Sequence, residues 1–143
     1  MRDMTEKEIM DFINEWTWGT LIAVDGDRPY AIELSYGSDG RYIYCGSMPG
    51  GRMARCVKKN PNVVFKICDS DRSYSRWRAV IIEAQAERLT DYDGIAASVR
   101  AIALQRGLNK HAFDGVIERV FNNPESNSLR IPIENIGGKI SGY

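Results

Sequence analysis

From residue 42 to 61 the chain reads Tyr42-Ile43-Tyr44-Cys45, then Gly46-Ser47-Met48-Pro49-Gly50-Gly51, then Arg52-Met53-Ala54-Arg55-Cys56-Val57-Lys58-Lys59, and stops at Asn60-Pro61. Bulky β-formers after the turn pair Asp39-Gly40 predict a strand. The glycines predict a loop, and Met53, Cys56 and Val57 at i, i+3, i+4 predict a short helix with one buried face. The residue before a proline is pushed out of the helical region, so the helix ends at Asn60. A strand that feeds a helix start through a glycine loop gathers free backbone N–H groups and a positive dipole end at one point. Arg52 and Arg55 add full charges on the first turn. This is anion chemistry, most naturally a phosphate. The competing reading is a junction with no ligand and with Arg52 as a solvated helix-start residue.

The flanking chain supplies the frame. Thr5 and Glu8 have capping-box spacing and start a helix that buries Ile9, Phe12, Ile13 and Trp16. Strands are expected over 19–24 and 30–36, joined by the Asp25-Gly26-Asp27 turn, and a third over 42–45. Three successive strands with short turns predict an antiparallel meander or barrel. A fourth strand follows over 63–68, then a polar hairpin or mobile loop over 69–76. The longest strand is expected over 77–89, where Ala84 and Ala86 alternate with Glu83, Gln85 and Glu87 to give one wet face. Two helices come next, one around Ile95, Val99, Ile102 and Ala103 and one from Asn109 onward. The closing strand is expected at 129–133, and Pro132 puts it at an edge. The class is α+β, built on a small antiparallel β-barrel of about six strands with flanking helices, in one domain over 1–143.

Charge then narrows the partners. Nineteen basic and nineteen acidic side chains cancel, which argues against a nucleic-acid binder. No apolar run approaches the ~20 residues that cross a bilayer, and the charged N-terminus is unlike a secretion signal. Three cysteines without a C-x-x-C pair predict reduced thiols of a cytoplasmic protein, with no disulfide framework and no metal site.

In order and spacing, several segments resemble the pyridoxamine-phosphate-oxidase-like, FMN-binding split-barrel superfamily, nearest its nitroimidazole-resistance type. They are Gly19-Thr20-Leu21-Ile22-Ala23, Pro29-Tyr30-Ala31-Ile32-Glu33-Leu34-Ser35-Tyr36, Ile43-Tyr44-Cys45-Gly46-Ser47 with Gly51-Arg52, and Asn60-Pro61-Asn62-Val63. Trp77-Arg78-Ala79-Val80-Ile81-Ile82, Leu129-Arg130-Ile131-Pro132-Ile133 and Ile136-Gly137-Gly138-Lys139 complete the set. The resemblance implies a homodimer with two FMN sites at the subunit interface. It implies that the loop and helix start of residues 46–55 hold the phosphate, with Gly46, Ser47, Gly51, Arg52, Met53 and Arg55 as the cofactor-binding set. It implies that Ile32, Glu33 and Leu34 run along the ring, with Tyr44 nearby and Trp77 and Arg78 near the phosphate or ring edge. Four positions depart from the pattern. Gly46 replaces a histidine, Met53 a phosphate-binding lysine, Glu33 a proline and Ala84 a glycine. The missing charge then falls to Arg52, Arg55 or Arg78.

Read residue by residue, Trp77 is also an ordinary core or interface aromatic, Tyr36 and Tyr44 cross-strand packing, and Glu33 a solvent-facing carboxylate. His111, the only histidine, sits at a helix start on the surface, so acid–base catalysis has no evident agent and no catalytic residue is assigned. Redox chemistry would come from the cofactor. The expected function is an FMN flavoprotein that reduces small electrophiles, with reduced nicotinamide or another donor. The alternative is a flavin or haem binding or storage module on the same dimeric barrel.

Overall fold

A computed structural model describes residues 1–143. Helix α1 (Glu6–Glu15) begins with the expected reciprocal cap: Thr5 Oγ1 accepts from the Glu8 N–H at 3.1 Å, and Glu8 Oε1 accepts from the Thr5 N–H at 2.9 Å. Arg2 grips the same Glu8 carboxylate through two bonds of 2.8 Å. The short strand β1 (Arg2–Asp3) precedes it. Strands β2 (Trp18–Asp25) and β3 (Arg28–Ser35) form a hairpin with Leu21 opposite Ile32, and Gly26 takes the φ of +67° that its turn requires. Strands β6 (Asn62–Ser70), β7 (Trp77–Gln85) and β10 (Ile136–Ser141) complete a six-stranded antiparallel sheet in the order β1-β10-β7-β6-β2-β3.

The expected meander stops after two strands. Strand β5 (Tyr42–Ser47) leaves the sheet of β3 and joins a second one, ordered β4-β5-β9-β8, with β4 (Gly37–Ser38), β8 (Glu87–Arg88) and β9 (Asn127–Pro132). The long strand expected over 77–89 is likewise two strands. It breaks at Ala86, whose N–H turns to the Pro61 carbonyl, and β8 passes to the second sheet. Strand β9 is not the last strand and not a free edge: it lies between β5 and β8. Its Pro132 is tolerated because β8 pairs only with Leu129 and Arg130. Helix α2 (Arg52–Lys59) forms as expected and α3 spans Tyr92–Gln105. The helix expected from Asn109 shortens to a 3₁₀ turn, Asp114–Val116, and α4 (Ile117–Asn122).

Two cores result. The larger gathers Phe12, Ile13, Leu21, Tyr36, Ile43, Phe65, Ile67, Val80, Ile82, Leu129 and Ile131 between the sheets, α1 and α2. The smaller sits between the second sheet and the helical layer, around Tyr44, Leu89, Ile95, Val99 and Ile117. No helix is long and apolar enough to cross a membrane.

One side chain ties these layers together. The last carbonyls of α1 lack intrahelical partners, and Gln105, from the end of α3, serves them. Its Nε2 donates to Ile13 O at 2.8 Å and Trp16 O at 2.6 Å, while its Oε1 accepts from the Ser38 N–H at 3.1 Å. The Tyr36 hydroxyl donates to Ile13 O as well, at 2.6 Å. Gln105→Met keeps the volume and removes the polar ends, which leaves Trp16 O and the Ser38 N–H without their partner. The expected loss is about 2–3 kcal/mol, measured as a lower urea midpoint at unchanged denaturant slope.

Candidate functional site

The β5–loop–α2 junction is built by main-chain geometry. Strand β5 ends at Gly46 and Ser47, opposite Ser128 and Asn127 of β9. Asn127 Nδ2 donates to Ser47 Oγ at 2.7 Å, so the serine hydroxyl keeps its own proton for another acceptor. Gly46 is exposed, and a Cβ there would stand 3.3 Å from Asn127 O. Gly50 has a φ of +65° and donates its N–H to Glu125 O at 3.0 Å, which closes the loop over residues 124–127. Gly51 then caps α2 without a side-chain acceptor. The first-turn N–H groups of α2 are therefore left to solvent or to a ligand.

The two arginines of this turn diverge. Arg52 Nε donates to Asp25 Oδ2 at 2.8 Å, with both side chains half-exposed, and its guanidinium lies 4.1 Å from the Tyr30 ring centre. Tyr30 shares the inward face of β3 with Ile32 and Leu34, so Arg52 sits at the head of that row. Arg55 instead bends back to the loop, donating Nη1 to Gly50 O at 3.1 Å. A hollow of about 310 Å³ opens beside them, lined by Asp25, Arg55, Lys59 and Asn60 among others.

Other residues of the expected set stand elsewhere. Strand alternation splits Ile32, Glu33 and Leu34. Ile32 and Leu34 pack inward, whereas Glu33 faces out and accepts from Thr20 Oγ1 at 2.8 Å. Met53 is 2% exposed and belongs to the large core, so its side chain does not reach the loop. Tyr44 belongs to the smaller core, its hydroxyl donating to Asp39 at 2.9 Å. Burial first, and then that carboxylate, push the Tyr44 phenol up to about 12. Trp77 pairs with Ser70 and Ser141, at the end of the six-stranded sheet remote from Asp25. There it stacks on Tyr74 at 5.6 Å. Arg78 lies 4.0 Å over Phe12 and ion-pairs with Glu15 at 2.5 Å, which fastens α1 to β7. Within one chain, Trp77 and Arg78 do not meet Arg52.

The thiols are poorly placed for chemistry. Cys45 is fully buried, and desolvation pushes it up to about 12, so it stays protonated at neutral pH. Cys56 is buried too, and no disulfide forms. No group of three or more potential metal ligands comes together. His111 lies on the helical layer with Nδ1 2.7 Å from Asp114. Three residues of the site were missed from the sequence: Asp25, Tyr30 and Asn127. Asp25 was visible only as a turn residue, and nothing local announces the pairing of β5 with β9.

A family model described as pyridoxamine 5'-phosphate oxidase matches residues 5–140. A Rhizobium meliloti protein, RA0666, is 26% identical over 94 residues, which is 66% of this chain and 61% of that protein's length. A FAD-binding protein of Mesorhizobium loti superposes with a TM-score of 0.69 at 23% identity, covering 97% of this chain and 95% of the other. A candidate 5-nitroimidazole antibiotic resistance protein of Bacteroides thetaiotaomicron reaches 0.82 at 15% identity, covering 97% and 86%. These likenesses establish the split-barrel fold.

The Arg52–Asp25 pair makes a specific expectation about anions. A flavin phosphate held at this turn would bind several-fold tighter in Asp25→Asn, which frees the guanidinium. Arg52→Ala removes a charge-assisted bond of ~1.5–3 kcal/mol and should weaken that binding by roughly ten- to a hundred-fold. Riboflavin, which has no phosphate, should bind alike to all three forms. Titration of apo-protein with the two ligands checks this, and equal losses for both would assign Arg52 to the fold.

Proposed function

The chain belongs to the pyridoxamine 5'-phosphate oxidase family, and on that footing we propose that it is an FMN-dependent oxidoreductase acting on small electrophilic molecules. One observation carries the reading: the family match runs over residues 5–140 and so takes in the whole β5–loop–α2 junction. The residues there suit a phosphate. Ser47 has a free hydroxyl proton, Gly51 leaves the first-turn N–H groups of α2 uncapped, and Arg52 supplies a half-exposed cation. Main chain of β3, with Tyr30, Ile32 and Leu34, offers a flat partly apolar wall for a ring. The FAD-binding relative of Mesorhizobium loti supports a flavin as the cofactor.

Bound flavin would supply the electron transfer, taking electrons from reduced nicotinamide or another donor. The chain's own part is to fix the phosphate, align the ring against β3 and shed water from the cleft. Protonated Cys45 takes no part in it.

The reading includes a homodimer. Ile22, Val24, Val64 and Ile81 share the outward face of the six-stranded sheet, and Ile81 is 42% exposed. Trp77 and Arg78 lie at one end of that sheet and the Asp25–Arg52 pair at the other. A two-fold axis running across the strands would cover the apolar strip and set the Trp77 end of a second copy beside Arg52. Both halves of the cleft would then meet, over an interface larger than the standard ~1,600 Å².

Freshly purified protein should carry a flavin spectrum that reduced nicotinamide bleaches and a nitroaromatic compound restores. Light scattering at micromolar concentration should give about twice the 16.1 kDa chain mass. A colourless monomer overturns the proposal, and a haem spectrum replaces the flavin with the alternative cofactor.

A further inference from the structure

Helix α2 has a second flank, joined to the Asp25 side by Arg55, which lines the hollows on both. There a hollow of about 430 Å³ opens between α2, β8 and residues 124–127. Arg55, Lys58 and Arg88 line it, together with the buried Ser126 and Asn127. Arg88 Nε donates to Ser126 O and its Nη2 to Pro124 O, both at 2.8 Å. Arg55 is held by Gly50 O at 3.1 Å. Both guanidiniums are therefore aimed by main-chain carbonyls and not by carboxylates. A carbonyl fixes direction but carries no net charge, so neither guanidinium is in a salt bridge. A guanidinium has five N–H donors, and Arg88 spends two on these carbonyls, leaving three for a ligand. Lys58, in the last turn of α2, adds a third charge with no ion-pair partner. Glu125 is the sole carboxylate in the lining. Three cations against one carboxylate leave an excess of two positive charges.

We propose that this hollow binds a phosphate dianion, apart from the Arg52 side assigned above to the flavin phosphate. An excess of two charges matches a dianion, and forked guanidiniums with free N–H pairs suit its oxygens bidentately. The volume exceeds what phosphate alone needs and falls within the range of small-molecule sites. The phosphate is thus either free inorganic phosphate or the phosphate of a small ester such as a nucleotide. Only the ester would use the remaining space.

The test is calorimetric titration of the full chain at low ionic strength with inorganic phosphate and, separately, with AMP. Arg88 also supports the 124–126 backbone, so the decisive variant is Lys58→Glu, at an exposed position. Saturable phosphate binding should weaken at least tenfold in Lys58→Glu and in Arg55→Gln, and persist in Arg52→Ala. AMP binding tighter than phosphate would identify an ester as the ligand, and equal binding would identify free phosphate. Affinity unchanged in Lys58→Glu overturns the proposal. So does a loss confined to Arg52→Ala, which would mean one anion site on the flavin side. A parallel FMN titration separates the two claims: Lys58→Glu should retain wild-type FMN affinity, whatever that affinity is.

Discussion

Everything about this architecture hangs on a close approach at Gly37. A Cβ placed there would stand 2.4 Å from the carbonyl carbon of Ala101 in α3, well inside contact distance. Only glycine lets the chain pass against that helix. The preceding Tyr36 is fully buried with its hydroxyl on Ile13 O. Together they turn the chain out of the first sheet at Ser35 and into the second at Gly37. Without that crossing β5 would continue the meander beside β3, and the barrel would have no split. The open edge of β3 would then be paired by the next strand. The opening in the barrel is thus a consequence of helix-to-backbone packing, with Gln105 stitching the same helix to both α1 and β4.

Much of the frame is legible in the sequence because it rests on local rules. The capping box at Thr5 and Glu8, the Gly26 hairpin, the amphipathic α2 and its stop before Pro61 all depend on residues within a few positions of each other. What escapes is set by distant neighbours. Strand β10 carries Gly137 and Gly138, poor strand formers by propensity. A Cβ at Gly138 would lie 2.7 Å from Met4 Sδ, so the glycine answers to the packing of the N-terminus. The break at Ala86 has the same character: alternation continues through it, but the Pro61 carbonyl and β9 redirect the backbone.

The candidate site divides along the same line. Its backbone part, a glycine loop feeding an uncapped helix start, was legible at residues 46–52. Its electrostatics were not, because Arg52 is answered by Asp25 from the far side of a hairpin. Arg55, only one turn away, is answered by a carbonyl and keeps its charge. Two arginines that look equivalent in the sequence are therefore held differently, one by a carboxylate and one by a carbonyl. Met53 is a simpler case. Its i, i+3, i+4 relation to Cys56 and Val57 already placed it on the buried face, and the helix honours that pattern over any family position.

The pairing of Arg2 with Ile140 and Asp3 with Lys139 carries a consequence for how the molecule is made. Strand β10 is also the only partner on the open side of β7. As the chain emerges from a ribosome, β1 waits with no neighbour and β7 shows a bare hydrogen-bonding edge until residues 136–141 are released. Contacts this distant along the chain slow closure, and exposed edges invite pairing with other nascent copies. Formation of β10 thus closes β1 and β7 together.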